Sequence, residues 1–124
     1  MHFVERLDSG VLIISIKGKL TGPPETDMLS ERIQSKIQEG RLNIVLNLKH
    51  INWMSSLGVG ALMKNLRSVR EAGGDLRLTG LSDKIKDIFQ ITKLIGVIKI
   101  FDSDIEAAES FKEENNRGTP RLLC

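Results

Sequence analysis

Two adjacent hydroxyls, Ser55 and Ser56, stand where an apolar run gives way to a helical pattern. They are the residues whose type and setting could do chemistry. Ahead of them, Ile44-Val45-Leu46-Asn47-Leu48 is short, apolar and β-branched, the pattern of a buried strand. After them, Val59, Leu62, Met63, Leu66 and Val69 recur at the 3.6-residue spacing of one helix face. Glu71-Ala72-Gly73-Gly74 supplies the stop, with glycine where the chain turns left-handed. A serine at such a junction has two readings. Its oxygen can accept a hydrogen bond from a backbone N–H two or three residues on, as an N-cap. Or it can carry a phosphate: the first turn of a helix has unpaired N–H groups and a positive dipole end, and there a charge of about −1.5 to −2 is well received. The second reading gives a switch that alters surface potential without unfolding the domain.

Other chemistry finds little support. His2 lies at the chain start and His50 reads as a solvated residue just past a strand, so neither pairs with a nucleophile by spacing. The serines lack a G-x-S-x-G frame. Gly58-Val59-Gly60 enters a helix after a strand, but Met63 occupies the third glycine position of a dinucleotide fingerprint. These glycines are expected to allow a tight turn and a close approach of helix to sheet. Carboxylates are spread along helix faces, without a convergent pair. The single cysteine, Cys124, is the last residue, which leaves neither a disulfide framework nor a metal quartet. Catalysis, a metal and a cofactor are therefore not expected. A net charge of +2 argues against nucleic acid as a partner, and with five aromatics and no tyrosine there is no stacking platform. No apolar run reaches the roughly 18 residues of a membrane span, and MHFVERLDSG does not resemble a signal peptide. The expected location is the cytoplasm.

The elements that must position the serines follow in order. Phe3 to Leu7 and Val11 to Ile16 flank a hairpin turn at Ser9-Gly10, and Val11-Leu12-Ile13-Ile14, apolar on both faces, belongs inside a sheet. Gly18-Lys19-Leu20-Thr21-Gly22-Pro23-Pro24 reads as a loop leading to a helix whose inner stripe is Met28, Leu29, Ile33 and Ile37, ended by Gly40. Leu76 to Thr79 is a strand that a short-looped β-α-β crossover pairs in parallel with the run at Ile44. A helix capped by Ser82 or Asp83 directs Ile85, Ile88 and Phe89 inward. Val97 to Phe101 is a last strand, and Asp102 or Ser103 caps a helix with Ile105, Ala108 and Phe111 inside. Residues 1–114 form one domain and residues 115–124 a mobile tail. The class is α/β: a mixed sheet of four to five strands with about four helices.

The run Ile44-Val45-Leu46-Asn47-Leu48, then Ile51, Trp53-Met54, Ser55-Ser56 and Leu57-Gly58-Val59-Gly60, resembles the STAS domain of bacterial anti-sigma factor antagonists. The likeness spans roughly residues 3 to 112, including Gly18-Lys19-Leu20 and Gly73-Gly74. It implies a STAS-like single domain that acts by binding. An unmodified antagonist of this kind captures an anti-sigma factor that is also a serine kinase. The kinase phosphorylates it, using its own ATP, and is released; a serine phosphatase resets the switch. The phosphoacceptor position falls on Ser56, and the implied contact surface is Thr21, Ser55, Ser56, Leu57, Gly58, Lys64 and Arg67, with Ser68 beside them. Ser55 stands where phosphorylated members have aspartate, Leu57 where they have a second small hydroxyl residue, and Thr21 where many have aspartate. Those departures leave a second implied role: an unphosphorylated STAS interaction subunit of a signalling scaffold or of a lipid-transport ATPase complex. A third, a small-ligand sensor, rests only on the apolar junction at Trp53 and Met54, which core packing also explains. Both a monomer and a homodimer remain compatible with the chain.

Overall fold

The computed structural model describes the backbone of residues 1–118 and the side chains of residues 1–113. The element order is β1 (His2–Asp8), β2 (Val11–Leu20), α1 (Glu25–Gln38), β3 (Asn43–Met54), α2 (Ser56–Glu71), β4 (Asp75–Thr79), α3 (Asp83–Ile91), β5 (Ile100–Phe101) and α4 (Asp104–Gly118). The strands lie side by side in chain order; β1 pairs antiparallel with β2 and every other neighbour is parallel. The turn between β1 and β2 holds Ser9 at φ 52° and Gly10 at φ 86°, the two left-handed residues of a type I′ hairpin. Gly73 follows α2 at φ 101°, a conformation open to glycine.

Period-two alternation within the strands sorts their side chains onto two unequal faces. Leu12, Ile14 and Ile16 of β2, with Ile44, Leu46 and Leu48 of β3, meet α1, α2 and α3 through Leu29, Ile33, Leu62, Leu66 and Phe89. The opposite face offers Val11, Ile13 and Val45 to α4, which answers with Ala107, Ala108 and Phe111. Polar clamps supplement this smaller core. Asp104 accepts from Asn47 Nδ2 (3.0 Å), Thr79 Oγ1 (2.5 Å) and Arg6 (3.0 Å). Arg77, only 1% exposed, donates to Asp75 (3.0 Å) and Ser110 (2.6 Å) and lies 3.9 Å over the Phe111 ring.

On the other face of the sheet, Glu5 of β1 meets Arg32 (2.5 Å) and Lys36 (2.8 Å) of α1. Partial burial pushes the Glu5 carboxyl up, but the hydrogen bonds from Lys36 and Arg32 outweigh it and hold the group below its ordinary range. The Glu5 hydrogen bond raises Lys36 in turn.

Several boundaries differ from the sequence reading. Gly18-Lys19-Leu20 belongs to β2, not to a loop, and His50 and Trp53 lie within β3. Pairing survives there through two register shifts, with Lys17 opposite His50, Lys19 opposite Trp53 and Leu20 opposite Met54. Leu20, Ile51 and Met54 remain buried while their polar neighbours face out. Only Ile100 and Phe101 form β5; the segment from Val97 turns first, its N–H donating to the Leu94 carbonyl (2.9 Å). Ile105 is 65% exposed, because the hold on Asp104 rotates α4 so that Ala107, Ala108 and Phe111 face the sheet. Met28 likewise faces outward, with Thr26, Leu29 and Ile33 the buried residues of α1. Helix α4 continues through Gly118, past the expected tail boundary at Asn115. Cys124 lies outside the described residues.

Candidate functional site at the start of helix α2

Of the two serines, one takes the capping role. Ser55 is the N-cap, at φ −96° and ψ 177°, with its oxygen accepting from Gly58 N–H (3.4 Å). Its hydroxyl also donates to the Thr21 carbonyl (2.9 Å), and its N–H donates to the Leu20 carbonyl (3.1 Å). One residue thus ties the end of β2 and the following loop to the first turn of α2. Ser56 is the first helical residue, exposed, and outside that cap.

Gly58 explains how close the two segments come. A Cβ there would stand 1.9 Å from the Leu20 carbonyl oxygen and 3.0 Å from Met54 Cγ. Only a residue without a side chain admits this approach. Gly58 is consequently buried beneath the site and supports it from below; it is not on the exposed contact face with which the sequence reading grouped it. The two glycines also part company, because Gly60 is exposed and a Cβ there would have nothing within 4 Å.

The remaining residues converge. Ser56, Gly60, Lys64 and Arg67 follow the i, i+4, i+8, i+11 line of one helix face, and all are exposed. Leu57, 63% exposed, projects toward Gly22, and Thr21 is exposed beside it. Ser56, Leu57 and Lys64 line a cleft of about 340 Å³ against Thr26, Asp27 and Ser30 of α1. Ser68 does not join them: it is half-buried, with its hydroxyl donating to the Lys64 carbonyl (3.2 Å). No carboxylate stands in the first turn of α2, so the positive helix end is left to whatever approaches from outside. Trp53, 42% exposed, lies on the other flank with Lys84 Nζ 5.7 Å from its ring centroid. It lies at the C-terminal end of β3, outside the core.

This arrangement is a hydroxyl on a rigid, anion-favouring helix end, in a shallow setting suited to contact with a macromolecule. Among the described residues no group of three His, Cys, Asp or Glu is placed to hold a metal ion. The STAS domain model matches residues 4–107, most of the chain. The chain belongs to the STAS domain family. The anti-sigma F factor antagonist of Paenibacillus polymyxa is 25% identical to this STAS domain over 99 residues, covering 79% of this chain and 84% of its own. The solved structure of TM1081 superposes with a TM-score of 0.78 at 22% identity, covering 88% of this chain and 87% of its own. The Bacillus anti-sigma factor antagonist SpoIIAA, solved in an unphosphorylated and a phosphorylated form, superposes with TM-scores of 0.66 and 0.68 at 22% and 21% identity. The coverage is 94% and 89% of this chain and 99% of SpoIIAA in both. The fold expected from the sequence is thereby the fold observed.

Two residues of the site escaped the sequence reading. Asn65 is buried in α2 and donates to Ser30 Oγ of α1 (3.2 Å) and to the Ala61 carbonyl (2.9 Å), joining the helices behind the cleft. Its signal was a polar residue next to the apolar stripe position Leu66. Lys84 is brought beside Trp53 only by the tertiary fold. No helix among the described residues is long and apolar enough to cross a membrane.

Proposed function

We propose that this STAS domain is an anti-sigma factor antagonist of the cytoplasm, which binds an anti-sigma factor with serine kinase activity and is released from it by phosphorylation of Ser56. The observation that carries the reading is the exposed Ser56 hydroxyl on the first residue of α2, left outside a cap that Ser55 supplies alone. Ser56 can therefore receive a phosphate without loss of the N-cap, and the added charge meets a positive helix end with no carboxylate in its first turn. A serine phosphatase would reverse the step. ATP belongs to the kinase, and this chain contributes binding and no catalysis.

The contact face is Thr21, Ser56, Leu57, Lys64 and Arg67, held in place by Ser55 and Gly58 from below. Relatives support the reading, since the Paenibacillus protein is an anti-sigma F factor antagonist. Capture from lysate of the source organism, with wild type and Ser56→Asp as parallel baits, tests it. The expected result is a serine kinase held by wild type and lost by the variant, whose affinity falls by about 1–3 kcal/mol through repulsion and desolvation at the contact. Equal retention by both baits refutes the switch.

One observation favours a second reading, a constitutive interaction subunit of a scaffold or transport ATPase. Ser55 replaces the family aspartate and is wholly occupied as a cap. Under that reading a partner is retained irrespective of ATP, and no phosphate is found on Ser56 in the purified protein.

A further inference from the structure

A groove runs along the other flank of α2, between that helix and α3 with the turn that follows it. At one end it is about 420 Å³, floored by Met54, Val59, Met63, Ile88 and Leu94 and bordered by Trp53. Met63 also lines the next stretch, about 460 Å³, which reaches Leu66, Arg70 and Val97. The groove thus follows α2 for most of its 16 residues, about 24 Å at 1.5 Å per residue. Two apolar lining residues, Trp53 and Val97, are themselves exposed, and so are Ile91 and Ile95, the chain neighbours of its lining residues Thr92 and Leu94. Large apolar side chains gathered along one cleft mark a contact surface.

The charges on the rim say what kind. Arg67 lines the groove and Lys84 stands beside its border residue Trp53, and neither has a carboxylate partner among the described residues. Arg70 projects from the same helix flank, paired with Asp75. Glu71 is the acidic residue that lines the groove, at its far end. A further feature points outward. Gly60 sits in the second turn of α2, on its crest between the groove and the α1 cleft, and nothing within 4 Å occupies the space where its side chain would be. An exposed glycine weakens a helix relative to alanine, and here the fold gains no close internal contact from it. It allows another backbone to come close.

We propose that this groove receives an amphipathic helix of the protein partner, its apolar stripe on Met63 and Trp53, its acidic flank on Arg67 and Lys84, and its closest approach at Gly60. This rests on the reading of the chain as a binding module and adds the chemistry of the partner: an acidic helix, to match a basic contact face.

The test uses the full chain and synthetic peptides of about 18 residues, five helical turns, that share one apolar stripe flanked either by glutamates or by lysines. Trp53, the single tryptophan, reports from the rim, and calorimetry measures binding independently of emission. The expected result is saturable binding of the Glu-flanked peptide alone, weakened about tenfold or more by Arg67→Glu and by Gly60→Leu. Both variants change exposed positions, so circular dichroism should match wild type. Arg67→Glu should in addition bind the Lys-flanked peptide better than wild type does. Equal binding of the two peptides, no heat and no emission change with either, or saturation by decanoate in place of a peptide overturns the proposal. So does a concentration-dependent dimer in sedimentation that Arg67→Glu dissolves. Ser56-dependent kinase capture without any groove binding would overturn this inference and leave the switch standing; groove binding with a kinase indifferent to Ser56 would do the reverse.

Discussion

Alanine at position 58 should unfold the candidate site from its base, and the structure gives the size of the effect. The added Cβ would lie 1.9 Å from the Leu20 carbonyl oxygen, where close carbon–oxygen contacts are about 3.3 Å. The obstacle is backbone within a paired strand, so no rotamer relieves it. The first turn of α2 must instead retreat by about 1.4 Å, which strains the Ser55 N–H bond to Leu20 and the Ser55 hydroxyl bond to Thr21. Overpacking of this kind costs about 1–3 kcal/mol, and each weakened hydrogen bond adds about 0.5–1.5. Alanine's better helix propensity returns up to about 1 kcal/mol. The net loss should be about 2–4 kcal/mol, or about 8–15 °C in Tm for a domain of this length. Gly60→Ala is the internal control. With nothing within 4 Å of its Cβ, it keeps only the propensity gain, about 0.5–1 kcal/mol, and Tm should rise by a few degrees. Urea denaturation followed by circular dichroism at 222 nm reads both. Gly58→Ala with wild-type stability, or a fall for Gly60→Ala, would refute the division of labour drawn between the two glycines.

The serines should separate in the same way: Ser55→Ala should lose about 1 kcal/mol with the N-cap and the Thr21 contact, while Ser56→Ala should stay within about 0.5 kcal/mol in urea melts. Asp104→Ala strips Asn47 and Thr79 of their acceptor and should cost about 1–3 kcal/mol, with hydrogen exchange rising in α4 more than in α2. The Glu5 carboxyl is held below its ordinary 4.5, so its contribution is present above that pH and lost as pH falls through the lowered folded value. Lys36 is raised above its ordinary 10.5, so its share is present below that pH and lost as pH rises through the raised folded value. Glu5→Gln should therefore flatten the stability profile measured by thermal melts on both the acid and the alkaline limb.

The order of elements was legible because buried strands and helices write opposite periodicities. Ile44 to Leu48 is apolar at every position but Asn47, as suits a strand covered on both sides, and α2 repeats at helical spacing. What failed was length. Lys17 to Leu20 and Lys49 to Trp53 look like loops because half their residues are polar, yet Leu20, Ile51 and Met54 keep the ladder in the core. The rotation of α4 was illegible for a different reason: it is set by Asp104 against Asn47, Thr79 and Arg6, partners separated from it by 25 to 98 positions. At the site, Ser56, Leu57 and Lys64 share one cleft, but the sequence could not tell cap from free hydroxyl, since that turns on which oxygen meets the Gly58 N–H. Nor could it tell Gly58 from Gly60, which differ only in what lies opposite.

The unequal faces of the sheet carry one more implication. Helices α1, α2 and α3 share a continuous core, whereas α4 closes a cluster of six buried apolar side chains, three of them its own, helped by Asp104 and Arg77. The protein is thus built as a load-carrying half and a half latched on by polar contacts. Opening events should begin with α4, at a free energy well below that of global unfolding. A protease would nick that side first, and the face that carries Ser56, Gly60 and Arg67 would survive the cut intact.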